Sequence, residues 1–576
     1  MVFQKRFMKN FLCIFLLGII FFVFFHSNIS AQNWQWAKTA SASVPSLGFG
    51  SAVGIGNLCT DSKRAIYLAG AVSADGGTVH FDNYSFDAWN SNPRAIFLKY
   101  NGNGNVIWAK STPYDATMGN SGVVTGSINT IDKFDDRIII GSFKSNNIVF
   151  GTDTLWNHSM SNAEMFIVKY DASDNIIWHK VVFASGIANG VYGISVSTDN
   201  NGSIYITGNF VGFNAVFDND TIWNCNQNAP YPDIFVVKYY SNGILAWVKH
   251  AGGPAEDGGT STTVKNGEVY LTCNTLSPYV VFENDSIPGP SYIVKYDSSG
   301  NLKWVKKSKT NWASTDYIKS GKYKDLYFSG IYADYLSFDV DTLYGNQNSQ
   351  SYICKMDTSG KVKWLKNTGI GNSFTNAMIF DDNGDLWNGG TFSDSIFICG
   401  NDTLINSSFA TQYGDIYMAK FDTANGNAQY AMNFGGVGDE GLNSILVVKD
   451  SLYVTGNFGC SAISFGNTTF NLQLVGNYDW FFAKYILPPN GINDVPKENE
   501  VSIYPNPFTN IINIQKSLPK QETFSLYDSF GKLILSKTIL ENKEQINTSN
   551  LATGLYFYAI VNHNGERVKA GKVVKE

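Results

Sequence analysis

The stretch YIVKYDSSGNLKWVK, residues 292–306, decides the fold because related stretches recur along the chain. In most of them an apolar strand leads through a turn containing Gly or Asn to a second strand centred on an aromatic residue, and the first copy, at the N-terminus, has the second strand alone. These second strands are QWAK (35–38), VIWAK (106–110), IIWHK (176–180), LAWVK (245–249), LKWVK (302–306), VKWLK (362–366) and the weaker AQYAM (428–432). Their aromatic residues are 57 to 72 positions apart. Self-similarity of this kind predicts a repeat architecture.

Each unit carries two further parts, an apolar strand such as IYITG (204–208) and a short segment with a central turn. The turn segments are VHFDNYSF (79–86), IVFGTDTL (148–155), AVFDNDTI (215–222), VVFENDSI (280–287), LSFDVDTL (336–343), FICGNDTL (397–404) and ISFGNTTF (463–470). Apolar and polar residues alternate at period two, and Gly, Asn and Asp separate the runs. This pattern predicts strands and hairpins.

The ends of the repeat array predict a closed ring. Seven turn segments occur, but only six aromatic-centred strands follow them, and the missing strand stands at 34–38. An N-terminal strand that completes the last sheet would leave no sheet edge open. We therefore predict an all-β protein, with a β-propeller of seven blades closed by the N-terminal strand and a small C-terminal β-sandwich. Six or eight blades are the alternatives.

The composition argues against two other classes of protein. Of the 576 residues, 44% are hydrophobic, 15% aromatic and only 16% charged, which is typical of short strands joined by turns rather than of a disordered chain. The formal net charge is −6, and no run of Lys and Arg occurs beyond the N-terminus. Because a nucleic-acid-binding protein needs a basic surface, we expect no nucleic-acid partner.

The first 31 residues have the pattern of a signal peptide. Basic residues precede an apolar run (11–25), and ISA (29–31) predicts a cleavage site, with an uncleaved anchor as the alternative. No later segment approaches 18 continuous apolar residues, so we expect no transmembrane span in the mature chain. The predicted organisation is a signal peptide (1–31), a propeller (32–487), a linker (488–500) and a C-terminal module (501–576).

Four landmarks occur in order in the C-terminal module. They are YPNP (Tyr504, Pro505, Asn506 and Pro507), the hairpin SLYDSFGKLILS (525–536) with Gly531 and Lys532, the strand LATGLYFYAI (551–560) with Gly554 and Tyr556, and the terminal RVKAGKVVKE (567–576). In these landmarks the module resembles the type A sorting domain of the type IX secretion system of Bacteroidetes. The resemblance implies that the type IX secretion machinery is a partner. It also implies export through the periplasm to the cell surface or the extracellular space. An incidental β-sandwich is the alternative.

The repeats resemble two groups of propellers. The stretch FGGVGDEG (434–441), followed by LYVTG (452–456), resembles the bacterial seven-bladed propeller repeat family, and 252–258 is a degraded copy. The hairpin KYDSSGNLKW (295–304) resembles the tryptophan-docking repeats of quinone-cofactor propellers. Those repeats also occur in non-enzymatic propellers, so this resemblance implies the fold rather than a cofactor.

Groups that could carry catalysis are scarce. Five histidines follow the signal segment, and no GxSxG, HExxH or P-loop pattern occurs. The six cysteines beyond it show no CxxC pair, so we predict buried thiols and no zinc site. We predict no catalytic, cofactor or metal residues. A unique site would have to come from non-repeating residues such as Asp316, Tyr317 or Glu164 meeting in the central channel.

The turn segments carry two sets of candidate site residues. Asp followed by Ser or Thr and an apolar residue resembles the O-glycosylation acceptor of exported Bacteroidetes proteins, which implies possible modification at Thr154, Thr221, Ser286, Thr342 and Thr403. The alternative is a tight turn in which Asp or Asn tolerates positive φ and the aliphatic residue packs inward. Aromatic residues on the same loops, Trp89, Trp156, Trp223 and Tyr344, could stack on a ligand or pack between hairpins.

These observations favour an exported, non-enzymatic binding or adhesion module for a glycan or a protein. One alternative is a propeller enzyme, acting on polysaccharide or as a quinone-dependent oxidoreductase. Another is a structural component of the cell envelope.

Overall fold

The computed structural model divides into two compact units, Met1–Ile486 and Leu487–Glu576. It describes residues 34–39, 41–42, 54–72, 78–87, 94–112, 124–159, 162–186, 190–228, 231–310, 312–323, 325–339, 341–345, 348–407, 413–459, 462–465, 468–471, 479–487, 501–516, 521–528, 532–562 and 567–576. The predicted signal peptide (1–31) and linker (488–500) lie outside the described residues, as do Trp89, Cys460 and Gly531.

Every regular element in the described part of the N-terminal unit is a β-strand. The N-terminal strands are β1 (Trp34–Thr39) and β2 (Ser41–Ala42). Repeat 1 contains β3 (Gly54–Thr60), β4 (Ile66–Val72), β5 (Thr78–Phe81), β6 (Tyr84–Asp87), β7 (Arg94–Tyr100) and β8 (Val106–Ser111). Repeat 2 contains β9 (Val124–Ile131), β10 (Arg137–Phe143), β11 (Asn147–Phe150), β12 (Asp153–Trp156), β13 (Glu164–Tyr170) and β14 (Ile176–Ser185). Repeat 3 contains β15 (Gly190–Thr198), β16 (Ile204–Val211), β17 (Asn214–Phe217), β18 (Asp220–Trp223), β19 (Asp233–Tyr239) and β20 (Leu245–Gly252).

The remaining repeats follow the same order. Repeat 4 contains β21 (Asp257–Lys265), β22 (Glu268–Thr275), β23 (Val280–Phe282), β24 (Asp285–Ile287), β25 (Ser291–Tyr296) and β26 (Leu302–Lys307). Repeat 5 contains β27 (Tyr317–Ser320), β28 (Asp325–Tyr332), β29 (Tyr335–Phe338), β30 (Asp341–Tyr344), β31 (Gln350–Asp357) and β32 (Val362–Asn367). Repeat 6 contains β33 (Ser373–Phe380), β34 (Leu386–Phe392), β35 (Ile396–Cys399), β36 (Asp402–Ile405), β37 (Asp415–Phe421) and β38 (Ala428–Gly436). Repeat 7 contains β39 (Glu440–Val448), β40 (Ser451–Phe458), β41 (Ala462–Phe465), β42 (Thr468–Asn471) and β43 (Asp479–Ile486).

Each repeat forms one antiparallel sheet and one small hairpin. In repeats 1 to 6 the first, second, fifth and sixth strands pair in that order, and we call them the first to fourth strands of sheets 1 to 6. In sheet 7 the first three strands are β39, β40 and β43. The third and fourth strands of the repeat form the hairpin between the second and third sheet strands. The first strands of consecutive sheets contact each other, and β39 of sheet 7 contacts β3 of sheet 1. The arrangement is propeller-like.

Sheet 7 takes its fourth strand from the N-terminus. As predicted, β1 pairs antiparallel with β43, so that Ala37 lies opposite Ala483. The ring of Trp34 also lies 5.1 Å from that of Phe434 and 4.9 Å from that of Phe465. This aromatic packing and the strand pairing join the two ends of the repeat array.

Tryptophans of the fourth strands dock on the turns of the following sheets. Gly300 has φ +83° in the turn between β25 and β26, and a Cβ there would lie 2.8 Å from Cδ2 of Trp247. The Trp247 Nε1 group donates a hydrogen bond to the Ser298 carbonyl oxygen (3.1 Å). The same close approach joins Trp36 to Gly104, Trp178 to Gly243 and Trp364 to Gly426, and at these positions a side chain would occupy the space of the indole. Trp304 contacts Gly360 at a longer distance, because a Cβ there would lie 3.4 Å from its Cε2 atom.

The small hairpins link each sheet to the one before it. Hairpin strands β17, β23 and β41 pair with the fourth strands β14, β20 and β38, and β5 pairs with β2, which follows β1. A fourth-strand lysine also pairs with an acidic residue in the next hairpin turn, as Lys180 does with Asp218 (2.7 Å). These contacts supplement the tryptophan docking at the edges of the sheets.

The C-terminal unit contains two sheets that share one apolar core. Its strands are β44 (Val501–Tyr504), β45 (Ile511–Lys516), β46 (Glu522–Tyr527), β47 (Leu533–Ile539), β48 (Lys543–Asn547), β49 (Gly554–Asn562) and β50 (Arg567–Lys575). The order is β44-β45-β48 in one sheet and β47-β46-β49-β50 in the other. Ile512 and Phe524, one from each sheet, are fully buried in this core.

The YPNP motif contacts the last strand of this unit. The Asn506 side chain donates a hydrogen bond to the Lys572 carbonyl oxygen (3.1 Å) and accepts one from the Val574 amide (2.9 Å). The Tyr556 hydroxyl donates a hydrogen bond to the Ala552 carbonyl oxygen (2.9 Å). Lys532 directly precedes β47, and Gly554 is the first residue of β49. The landmarks of the module are therefore parts of one packed unit.

We expect Gly104→Ala to destabilise the N-terminal unit more than Gly151→Ala. Both glycines have positive φ, +79° and +62°, so the backbone strain is similar. An added Cβ at position 104 would lie 2.7 Å from Cε2 of Trp36, whereas position 151 has no neighbour within 4 Å. The free energy of unfolding should fall by about 1–3 kcal/mol more in Gly104→Ala than in Gly151→Ala, as at other overpacked sites. Urea unfolding followed by tryptophan fluorescence measures the difference. Equal losses of stability in the two variants would contradict the contact between Trp36 of β1 and the turn that contains Gly104.

Candidate functional site

A pocket of about 390 Å³ opens among sheets 3, 4 and 5. Its walls come from the ends of second strands, from residues that precede third strands and from the starts of first strands, including Asn209, Pro232 and Asp257. All these residues lie at the same end of the sheets, where the chain connects second to third strands and one sheet to the next. We call it the connection face, and loops held by a rigid scaffold are common places for ligand binding.

The polar wall of the pocket is centred on Asp257 at the start of β21. Its buried carboxylate accepts hydrogen bonds from the Gly253 amide (2.6 Å), the Ser277 hydroxyl (3.0 Å) and the Thr275 hydroxyl. Burial raises the pKa of Asp257 to about 6, although these hydrogen bonds act in the opposite direction. The exposed Glu256 adds a second carboxylate to the pocket lining.

The carboxylate of Asp316 lies behind the pocket and is hydrogen-bonded to two of its lining residues. Asn274 Nδ2 donates a hydrogen bond to Asp316 Oδ1 (2.9 Å), and the Ser314 hydroxyl donates to Oδ2 (2.7 Å). Asn274 and Ser314 both line the pocket. Desolvation raises the pKa of Asp316. The Asn274 oxygen accepts a hydrogen bond from the Thr315 amide (2.8 Å), so this amide side chain links sheets 4 and 5.

The apolar side of the pocket is unusually open to solvent. Trp312, which precedes the first strand of sheet 5, is 47% exposed, and Leu276, at the end of the second strand of sheet 4, is 72% exposed. An exposed indole beside carboxylate and amide groups offers both a flat apolar surface and hydrogen-bonding partners. The pocket can therefore receive a ligand that has one apolar face and a polar rim.

Three side chains of metal-ligand type meet beside the pocket. The Cys225 sulfur, a carboxylate oxygen of Asp233 and a ring nitrogen of His250 all lie within 4.8 Å of one another. Pro232, which precedes Asp233, accepts a hydrogen bond from the Asp257 amide (2.8 Å) and lines the pocket. Cys225 is exposed, so the prediction of buried thiols is wrong for this residue, while Cys273, Cys354 and Cys399 are buried as predicted.

The predicted loop aromatics lie apart from the pocket. Trp156, Trp223 and Tyr344 are 63%, 57% and 80% exposed, and each is the last residue of a different hairpin. They are absent from the pocket lining. Trp89 lies outside the described residues. The hairpins present these rings to solvent separately, so they do not form one common surface with the pocket.

The predicted glycosylation residues are all accessible. Thr154, Thr221, Ser286, Thr342 and Thr403 are exposed on the second strands of their hairpins, and modification there stays a prediction. Of the aliphatic residues that follow them, Leu155, Ile222 and Leu404 are buried.

The turn explanation for these triplets needs one correction. Positive φ occurs two positions before the aspartate, at Asp218 (51°) and Asp339 (54°) for example, and not at the aspartate itself. The aspartate already belongs to the outgoing strand.

The three non-repeating residues named as a possible channel site do not form one. Glu164 is buried in sheet 2, where its carboxylate accepts hydrogen bonds from the backbone amide of His158 (2.8 Å) and contacts the His158 ring at Nδ1 (3.0 Å). Asp316 lies behind the pocket, where it accepts a hydrogen bond from Asn274, and Tyr317 packs against the apolar core between sheets 5 and 6. The sequence missed Trp312 and Asn274, although Trp312 lies outside the regular tryptophan series and marks a departure from the repeat.

Comparison with known proteins identifies the C-terminal unit. Residues 502–576 match the family described as "Secretion system C-terminal sorting domain". The C-terminal unit is a secretion-system sorting domain. A sorting domain of this kind is a signal for export to the cell surface or beyond. In the described residues no helix has the length and apolar character required to cross a membrane.

The comparisons describe the rest of the chain only coarsely. A stretch of 223 residues is 32% identical to an uncharacterized WD repeat-containing protein of Acanthamoeba polyphaga mimivirus, and it covers 34% of this chain and 15% of that protein. The chain thus spans a small part of that relative. WD repeats build four-stranded propeller blades, in agreement with the sheets described above.

Similar solved structures include a protein of unknown function from Dyadobacter fermentans and the hydrazine synthase of Kuenenia stuttgartiensis. The first is 9% identical, covers 78% of this chain and 99% of the other, and has a TM-score of 0.36. The second is 10% identical, covers 60% and 80%, and has a TM-score of 0.35. Both scores are below 0.5, so neither likeness supports a functional argument.

We expect the stability of the N-terminal unit to fall as the pH rises through about 6, partly because of Asp257. Its folded-state pKa of about 6 lies above the usual value of 3.8. The folded state therefore holds its proton more tightly, and this contribution is complete below pH 4 and is lost as the pH rises through 6. Urea unfolding at several pH values, with a chelator present, measures the effect. Asp257→Asn should flatten the curve in this range, and an unchanged pH dependence would contradict the assignment.

Proposed function

We propose that this protein is an exported, non-enzymatic binding module in which a seven-bladed propeller binds a glycan through the pocket among sheets 3, 4 and 5. The observation that carries the proposal is the exposed Trp312 ring beside the carboxylate of Glu256 and the amide of Asn209 in one pocket. The sorting domain delivers the propeller to the cell surface or to the outside.

The chemistry of a sugar ring fits this lining. A pyranose has one face of C–H groups that packs on an indole ring, and its hydroxyl groups exchange hydrogen bonds with carboxylates and amides. A volume of about 390 Å³ falls within the usual range for small-ligand pockets and suits one or two sugar units. A glycan, rather than a protein, is favoured because one small pocket combines an exposed indole with carboxylate and amide groups.

The hydrogen bonds of the carboxylates support binding rather than catalysis. Asp257 accepts hydrogen bonds from Gly253, Thr275 and Ser277, and Asp316 accepts them from Asn274 and Ser314. Each carboxylate thus fixes the loops around it. A group that transfers protons to a substrate needs to be directed at that substrate.

One observation favours glycoside hydrolysis as the second candidate function. Asp257 and Asp316 both have raised pKa values, and glycosidases use a carboxyl group that remains protonated as the acid. Turnover of a polysaccharide near pH 6 that disappears in Asp257→Asn would replace the binding proposal with this one.

We expect Trp312→Ala to weaken glycan binding about tenfold, the equivalent of roughly 1.4 kcal/mol for the loss of one stacking ring. A glycan array identifies a ligand, and titration calorimetry then compares the variants. Trp156→Ala is the matched control, because it removes a similarly exposed tryptophan from outside the pocket and should leave affinity unchanged. Equal effects of the two variants, or binding of a protein and no glycan, would contradict the proposal.

We expect deletion of residues 501–576 to leave a folded N-terminal unit inside the cell envelope of the native host. The two units have separate cores, so the first should not need the second to fold. Surface labelling and protease shaving of intact cells measure delivery, and thermal unfolding of the truncated protein checks the fold. Normal surface display of the truncated chain would show that the sorting domain is not required.

A further inference from the structure

Cys225, Asp233 and His250 come together from three separate parts of repeat 3. Asp233 begins β19, His250 lies on the neighbouring strand β20 opposite Phe235, and Cys225 follows the hairpin strand β18. Their ligand atoms lie within 4.8 Å of one another. The Cys225 amide donates a hydrogen bond to Asp233 Oδ2 (2.6 Å), which fixes the loop next to the carboxylate.

Two polar atoms of this group have no hydrogen-bond partner. Asp233 is fully buried and its Oδ1 atom is unpaired, and the buried Nδ1 atom of His250 is also unpaired. Leaving such groups without a partner costs about 1–3 kcal/mol each. Carboxylate oxygens and imidazole nitrogens each carry a lone pair, so a cation bound within this group would give both atoms a partner.

Sheet 6 contains the same arrangement with its hydrogen bonds complete. There Asp415 takes the place of Asp233, and the Ser407 amide donates to its Oδ2 atom (3.0 Å) as the Cys225 amide does in sheet 3. The Ser407 hydroxyl donates to Asp415 Oδ1 (2.7 Å), and Asn433 Nδ2 donates to Oδ2 (3.2 Å).

The two sites differ in a chemically specific way. Asn433 lies opposite Tyr417, two residues after Asp415, as His250 lies opposite Phe235, two residues after Asp233. In sheet 3 the serine is therefore replaced by cysteine and the asparagine by histidine. The thiol of Cys225 is a weaker hydrogen-bond donor to the carboxylate than the hydroxyl of Ser407, and His250 takes the place of the amide donor of Asn433. Both replacements introduce a side chain that binds transition metals.

We propose that the Cys225 sulfur, Asp233 Oδ1 and His250 Nδ1 bind one zinc ion, with water as the fourth ligand. Zinc lies about 2.3 Å from sulfur and about 2.0–2.2 Å from nitrogen or oxygen in tetrahedral sites, which places the ligand atoms about 3.3–3.8 Å apart. Small side-chain adjustments bring the three atoms from their present separations to these values. The thiolate and imidazole ligands favour zinc over calcium or magnesium, which prefer oxygen ligands.

This site was not predicted from the sequence because its ligands have none of the usual spacings. Cys225, Asp233 and His250 are separated by 8 and 17 positions, with no CxxC or HxxxH pair. Cys225 is exposed, so a metal ion can enter from solvent, and its thiol loses a proton on binding. The zinc site is independent of the glycan proposal, since neither requires the other.

Cobalt titration of the full chain, purified without a histidine tag and treated with chelator, tests the proposal. We expect one cobalt ion per chain, a near-ultraviolet thiolate-to-cobalt band and visible bands of tetrahedral intensity, all displaced by one equivalent of zinc. The double variant Cys225→Ser/His250→Asn copies the side chains of sheet 6, so it should fold and should bind at least 100-fold more weakly. Zinc should raise the unfolding temperature of the parent chain and not that of the variant.

The reverse exchange provides a second test in the same molecule. Ser407→Cys/Asn433→His, placed in the zinc-free background of the first double variant, should restore cobalt binding with a thiolate band at sheet 6. Absence of the thiolate band in the parent chain, or unchanged affinity in Cys225→Ser/His250→Asn, would overturn the proposal.

Discussion

The contact between a fourth-strand tryptophan and the following turn is the interaction on which the N-terminal unit depends. A sheet of four strands has two exposed faces and cannot bury both alone, so each sheet is stable only against its neighbours. The indole of Trp247 lies against Gly300 and donates a hydrogen bond to a backbone oxygen of the same turn. One contact thus sets the distance and the angle between two sheets, and its repetition sets the curvature of the array.

Exceptions to this contact have physical explanations. In the turn of sheet 2 the glycine is replaced by Asp174, which also has positive φ, and its carboxylate accepts the hydrogen bond of Trp108 Nε1 (2.9 Å). Tyr430 takes the place of the tryptophan in sheet 6. In the following sheet, sheet 7, the third strand is β43 and the fourth is β1 from the N-terminus, so no turn joins these two strands and no such turn is there for a tryptophan to contact. The Tyr430 hydroxyl instead contacts that of Tyr485 (3.0 Å). In both cases the contact between neighbouring sheets is kept by a different pair of residues: Trp108 with Asp174, and Tyr430 with Tyr485.

Candidate functions lie where the repeat is broken. Trp312 stands outside the tryptophan series, and Cys225 and His250 replace the serine and asparagine that complete the same arrangement in sheet 6. Regular positions are occupied by residues that build every sheet, so they are not available for a unique site. Repeat 3 carries the group of Cys225, Asp233 and His250 and shares the pocket with sheets 4 and 5, so two departures from the repeat lie close together among the described residues.

The sequence by itself determined the strand pattern, the repeat, the pairing of the N-terminal strand with the last sheet and the nature of the C-terminal unit. The strand pattern and the repeat depend on local alternation of apolar residues and on turn residues such as Gly300, whose effects act within a few positions. The pairing of the N-terminal strand followed from the strand that is missing at the end of the repeat array, and the nature of the C-terminal unit followed from its ordered landmarks. Only the tertiary structure decided which side chains meet. Asp257, Asn274 and Trp312 come from different strands and two different sheets, and the close approach of Cys225, Asp233 and His250 depends on sheet register and hairpin geometry. Exposure of Trp156 and Tyr344 likewise follows from how neighbouring hairpins pack, because solvent access is a property of the assembled surface and not of a strand.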